Sequence, residues 1–245
     1  MTRNNGRKAY TIIREVTLQN SSNQIKAKET WTIASGDKMK LHVQSQDNDN
    51  PWSFVIVYDK NKRQTLSSSK KLKTFKKSSE FFEPLFHDRS YKSMTQRMID
   101  YKFIPEWVKN SPDPDYDNGK TKMTDEPFVR LAPVEGSVSY AIGASGNTSG
   151  DSSKTTLWVE QDSFLIKKGK LRSKADFTNS RFQSFSGGLK LPGEQTISWG
   201  DNVAQIKLMT VDSINPKKVT WSLTSNESGT IPTASLIKEF YSRFR

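Results

Sequence analysis

Apolar and polar positions alternate along most of the chain, and the alternation predicts strands. Residues 10–19 (YTIIREVTLQ) form the first candidate, and 26–34 the second, with Trp31 and Ile33 on one face. A tight Ser35–Gly36–Asp37 turn leads into a strand on which Met39, Leu41 and Val43 alternate. Residues 52–58 (WSFVIVY) are apolar on both faces, which places that strand centrally or under a covering element. DKNKR at 59–63 reads as a hairpin turn, with 64–66 returning. Later strands are expected at 128–131, 137–142, 156–161, 163–172, 175–185, 194–199, 203–212 and 218–224.

Between these two sets the period changes. Residues 78–88 (SSEFFEPLFHD) bring Phe81, Phe82, Leu85 and Phe86 together, with Pro84 limiting helical regularity. In 91–104, Tyr91, Met94, Met98 and Tyr101 follow helical spacing behind a Ser90 cap, and Pro105 ends the helix. A short C-terminal helix is expected at 231–240, with Pro232 near its start. The Pro-, Asp- and Gly-rich stretch 110–127 and the Gly/Ser-rich stretch 143–154 read as surface loops within a single domain spanning 1–245. The fold class is therefore α+β. The sheet is expected to be antiparallel and strongly curved, with helices covering its concave face.

Composition narrows the chemistry. The 245 residues include no cysteine, which removes disulfides, thiolate catalysis and Cys-ligated metals. Only two histidines occur: His42 alternates away from Leu41 and Val43, and His87 closes the Phe-rich segment. Neither Gly-x-Ser-x-Gly nor His-Glu-x-x-His is present. Asp113, Asp115 and Asp117 have calcium-loop spacing, but Thr124 stands where the loop needs Glu, so no metal site is assigned. The expected protein is not an enzyme and carries no cofactor.

The formal charge of +12 favours an anionic partner. Its densest run comprises Lys60, Lys62, Arg63, Lys70, Lys71, Lys73, Lys76 and Lys77. Of these, Lys70, Lys71, Lys73, Lys76 and Lys77 are read as contacts to an anionic surface such as lipid headgroups, against the plainer reading of a solvated hairpin and linker. A second run at Lys167, Lys168, Lys170, Arg172 and Lys174 reads as a solvated strand face. No zinc finger, KH loop or RNP pair accompanies these cations, so nucleic acid is not the expected partner. Residues 1–10 are basic and polar and no apolar run follows, so no signal peptide or membrane span is expected in this chain.

The run Leu157–Trp158–Val159–Glu160–Gln161–Asp162–Ser163–Phe164–Leu165–Ile166 resembles the LolA-like outer-membrane lipoprotein carrier superfamily. There an acidic turn residue is followed by an apolar step and a basic strand, places taken here by Asp162, Ser163–Phe164–Leu165 and Lys167. Gly188–Leu189–Lys190–Leu191–Pro192 with Gln195–Thr196–Ile197 resembles that family's step into its last strands, and Asp59 after Val57–Tyr58 the end of an early one. The likeness spans roughly residues 10 to 224. It implies an unclosed half-barrel with a helical lid over an apolar cavity, in a periplasmic protein, exported by a signal outside this chain, that carries lipoprotein acyl chains or other lipids toward the outer membrane. Membrane-bound donor or acceptor proteins are the implied partners.

On this reading Trp31, Ile33, Leu41, Val43, Tyr140, Ile142 and Phe164 line an apolar cavity, and Phe81, Phe82, Leu85, Phe86, Met94 and Met98 cover it. Acyl chains need no directional contacts, and each methylene removed from water contributes about 0.8 kcal/mol. Met and Phe adapt to flexible chains. The alternative is a non-catalytic envelope interaction or structural module with the same fold and a filled interior.

Overall fold

The computed structural model describes residues 9–67, 70–88, 90–110, 129–143, 155–224, 227, 229 and 231–245. Its strands are β1 (Tyr10–Gln19), β2 (Gln24–Ser35), β3 (Lys38–Ser45), β4 (Ser53–Asp59), β5 (Lys62–Leu66), β6 (Leu72–Lys76), β7 (Val129–Val134), β8 (Ser137–Ile142), β9 (Thr156–Glu160), β10 (Ile166–Lys170), β11 (Asp176–Ser180), β12 (Gln183–Ser184), β13 (Lys190–Leu191), β14 (Glu194–Trp199) and β15 (Asn202–Ser213). The α-helices are α1 (Tyr91–Asp100) and α2 (Ser235–Arg243), and a buried 3-10 turn spans Glu83–Phe86. The loops expected at 110–127 and 143–154 lie almost wholly outside the described residues.

The chain forms two compact units: residues 1–91 with 179–245, and residues 92–178. In the first, neighbouring strands follow the order β6-β5-β4-β3-β2-β1-β15-β14, and in the second β11-β10-β9-β8-β7. The α+β class stands, but the strongly curved half-barrel does not. Coiling a sheet requires bulges or kinks that bend its strands. Here β1 and β2 pair in unbroken register from Tyr10↔Ile33 to Gln19↔Gln24, and β3 and β4 from Lys38↔Asp59 to Gln44↔Ser53. Register shifts occur at Ile13/Arg14, Ile33/Ser35 and Ile166/Lys168, and the sheet is neither strongly curved nor rolled into a half-barrel.

Strand alternation builds the core of the first unit. Ile12↔Trp31 and Trp31↔Leu41 are paired, and all three side chains are buried. Val43↔Phe54 and Met39↔Tyr58 extend the same face. The opposite face of β4 is also buried, at Val55 and Val57. The segment after β15 covers it: the Lys40 ammonium donates to the Thr220 and Ser222 carbonyls, and Gly229 lies against the Ser53–Phe54 backbone so closely that a side chain would not fit. Those contacts replace the strand expected at 218–224: Pro216–Lys218 is a 3-10 turn, and residues 219–224 are not in a strand.

β6 is an element the apolar pattern does not reveal, because its sequence LKTFK is exposed at every position. Helix α1 stops short of Pro105. Lys102 takes a positive φ of 63°, Phe103 N–H donates to the Met98 carbonyl at 2.9 Å, and Lys102 N–H donates to the Ile99 carbonyl at 2.9 Å. This is the pairing of a Schellman cap, with lysine in glycine's usual place.

Candidate functional site

The first unit's interior is built of packed rings and buried ions. Tyr58 and Phe81 stack with ring centroids 4.4 Å apart, and Trp31 lies 6.0 Å from Tyr58 and 6.3 Å from Phe81. Trp31, Ile33, Leu41, Val43, Phe81, Phe82, Leu85 and Phe86 are all buried in this unit. The Phe-rich turn is thus part of the core, held by backbone bonds such as Leu85 N–H to the Phe82 carbonyl.

Around that stack lies a hydrogen-bonded chain of polar groups. Arg14 on β1 and Glu29 on β2 stand directly opposite each other. Arg14 donates to Glu83 at 2.8 Å, and the buried Arg245 side chain donates to Glu29 at 3.0 Å. Trp31 Nε1–H donates to the same Glu29 at 2.9 Å. His87 Nε2 lies 2.8 Å from Glu83, and the Tyr10 hydroxyl 2.7 Å from His87 Nδ1. A neutral imidazole satisfies both, donating from Nε2 and accepting at Nδ1. Burial lowers the His87 pKa, outweighing the pull of Glu83. Burial alone would raise the Glu83 carboxyl, but the Arg14 guanidinium and the His87 bond overcome it and hold it well below the usual carboxylate range.

Tyr10, His87 and Glu83 have the bonding order of a catalytic relay. All three are fully buried, so a substrate reaches none of their reacting atoms in this conformation. The arrangement neutralises and orients buried charge in the core. Among the described residues, no group of three or more His, Asp or Glu side chains is placed to hold a metal ion. His42 is half-buried on the outer face of β3, as its alternation with Leu41 and Val43 requires.

The second unit differs in kind. Register pairs Leu131↔Tyr140, Val129↔Ile142, Tyr140↔Val159 and Val159↔Ile166, so these side chains share one sheet face. Much of that face meets solvent: Leu131 is 61% exposed and Val138 51%, while Tyr140, Ile142, Val159 and Ile166 are half-buried. Phe164 sits in the turn between β9 and β10 with φ of 54° and is 54% exposed. A non-glycine residue held there carries about 1–3 kcal/mol of backbone strain. The same turn is tied to the start of β8 by the Gln161 N–H bond to the Val138 carbonyl, at 3.0 Å. Beyond Ile142, Gly143 helps line a groove of about 420 Å³ with Phe103, Ile104, Pro105 and Trp107. That volume lies within the roughly 300–1,000 Å³ of small-molecule sites.

The residues selected from sequence are therefore divided. Tyr140, Ile142 and Phe164 belong to the second unit, as do the half-buried Met94 and the buried Met98 on α1, while the other eight lie in the first. Leu131, Trp107 and Phe103 were not selected, although the alternation in VRLAPVEGSVSYAI carries the signal for the first of them. Arg14, Glu29, Glu83 and Arg245 were not selected either, since alternation gives a facing but no partner. Lys70, Lys71, Lys73 and Lys76 are exposed on and beside β6, whereas Lys77 is nearly buried, with Asp37 at 3.9 Å.

No family model matches the chain, and no curated protein matches it in sequence. Its fold matches solved structures. A LolA superfamily protein from Nitrosomonas europaea aligns with TM-score 0.53 at 10% identity, over 89% of this chain and 93% of that one. A protein described as an outer membrane lipoprotein-sorting domain, from Vibrio parahaemolyticus, aligns with TM-score 0.50 at 10% identity, over 85% and 86%. A DUF1329 family protein from Desulfovibrio piger gives 0.51 at 9% identity, over 87% and 88%. The chain shares its fold with these three solved structures.

Proposed function

We propose that this protein is a non-catalytic, periplasmic lipid-handling module that receives acyl chains of lipoproteins or other lipids on the apolar face of its second unit. The observation that carries the reading is the half-exposed face formed by Leu131, Val138, Tyr140 and Ile142, with the strained, exposed Phe164 at its edge. A contiguous exposed apolar face of this kind marks binding surfaces in soluble proteins. The groove beyond Ile142, where Lys102 and Glu106 stand among Phe103, Ile104, Pro105 and Trp107, offers the chain a continuation with charged groups beside it. The fold shared with a lipoprotein-sorting domain supports the same class of cargo and a place in the cell envelope. Delivery toward the outer membrane and exchange with membrane-bound donor or acceptor proteins complete the proposal.

A second reading has its own support. The first unit is filled by the Trp31–Tyr58–Phe81 stack and its buried ions, which suits an interaction or structural module. Titration of the protein with a fluorescent fatty acid separates the two. Saturable binding that Phe164→Ser weakens about tenfold supports the carrier, since burying one large apolar side chain contributes about 1.5–3 kcal/mol. No saturable binding by the folded protein favours the module.

A further inference from the structure

The positive charge is unevenly divided. Residues 1–91 and 179–245 hold 25 of the Lys and Arg residues against 14 Asp and Glu, whereas residues 92–178 hold 13 against 12. Within the first unit the cations gather at one sheet edge. β6 is the terminal strand of its sheet order and, among the described residues, pairs with β5 alone, so its outer row of backbone groups has no strand partner there. Lys70, Lys71, Lys73 and Lys76 lie on or beside it, and Lys62 stands opposite Lys76. Among the described residues none of these five pairs with a carboxylate. Basic residues on an edge strand are an ordinary guard against aggregation. That guard does not account for Leu72, 55% exposed, and Phe75, 47% exposed, on the same strand.

The alternation gives each face of the edge one apolar side chain and one lysine. Leu72 shares one face with Thr74 and Lys76, and Phe75 shares the other with Lys73. Next to Phe75, the Lys73 stem can lie along the ring while its ammonium turns to water or phosphate.

We propose that the β5–β6 edge is a docking surface for an anionic lipid bilayer. Leu72 and Phe75 enter the interface from opposite faces of the strand, and Lys62, Lys70, Lys71, Lys73 and Lys76 meet the lipid phosphates. The free backbone row of β6 faces the hydrated headgroups, where its polar groups keep hydrogen-bonding partners. This surface belongs to the first unit and does not depend on the acyl-chain reading of the second.

Co-sedimentation of the full chain with vesicles tests it, using phosphatidylglycerol-containing and pure phosphatidylcholine vesicles. The wild type partitions to the anionic vesicles and not to the neutral ones, and raised salt releases it. The triple variant Lys71→Gln, Lys73→Gln, Lys76→Gln loses roughly a hundredfold in partitioning, since each lysine near such a surface contributes about a fivefold factor. Phe75→Ser, with all cations kept, also weakens binding, which distinguishes insertion from bulk attraction. All four positions are solvent-exposed, and matching thermal melts confirm folding. Equal partitioning of the triple variant, no partitioning by the wild type, or equally tight binding of polyglutamate with no effect of Phe75→Ser would overturn the proposal. The last result would assign the edge to an acidic protein partner. Fatty-acid binding in solution stays unchanged in the triple variant, so failure here and failure of the carrier reading give different results.

Discussion

Arg14 and Glu83, 69 residues apart in the chain, meet at 2.8 Å with both side chains buried. The pair ties the first strand to the Phe-rich turn. Removing one partner strands the other as an unpaired buried charge, and such losses run to about 3–5 kcal/mol. Glu83→Gln is therefore expected to destabilise the first unit by that amount in denaturant titration, although it changes one atom. Arg14→Met together with Glu83→Leu, which removes both charges, is expected to recover much of the loss.

The same network makes stability depend on pH in one direction. The folded-state pKa of His87 lies below its ordinary 6.5, because burial disfavours the imidazolium. Its contribution is complete above that pH and is lost as the pH falls below it toward the folded value. Glu83 is held well below its ordinary 4.5, chiefly by Arg14 acting against burial, so its contribution persists to lower pH and is lost as the pH falls through its folded value. Unfolding free energy is expected to decline once the pH falls below about 6.5, and more steeply below about 4.5. The half-buried His42, also lowered by burial, adds to the first decline. His87→Gln, which can still donate to Glu83 and accept from Tyr10, should flatten that decline but leave the acid-side loss. An unchanged slope in His87→Gln would remove His87 from this account.

Phe82 has no exposed surface. An aspartate there would bury a carboxylate beside the Phe86 ring. Phe82→Asp is thus expected to unfold the first unit rather than to weaken lipid binding alone. Phe81→Ala, which empties the stack on Tyr58, should lower stability by about 3–5 kcal/mol. A folded Phe82→Asp protein with impaired lipid binding would show instead that this turn can open as a lid.

Local alternation made the first four strands legible. Trp31, Leu41 and Val43 sit on the inner face as their spacing requires, and the doubly apolar β4 has its covering segment. The strand β6 was illegible because no apolar face marks it: in LKTFK each face mixes one lysine with one apolar residue, and all five positions are exposed. Buried ion pairs were illegible for another reason. Arg245 reaches Glu29 across 216 residues, and no sequence period records a partner at that distance. The half-barrel failed because apolar strand faces and an apolar turn read alike whether they enclose a ligand or fill one another. Here Phe81 stacks between the strands' own rings. The apolar face of the second unit was read only in part. Tyr140 and Ile142 were evident from β8, but Leu131 acquires its meaning from its register opposite Tyr140.

The most direct test of the account is photo-crosslinking of the intact protein with a diazirine fatty acid, the adduct sites being mapped by peptide mass spectrometry. The account predicts saturable labelling concentrated on Leu131, Val138–Ile142 and Phe164, competed by unlabelled fatty acid. Adducts confined to the Trp31–Val43 and Phe81–Phe86 peptides, or labelling that unlabelled lipid does not compete, would contradict it.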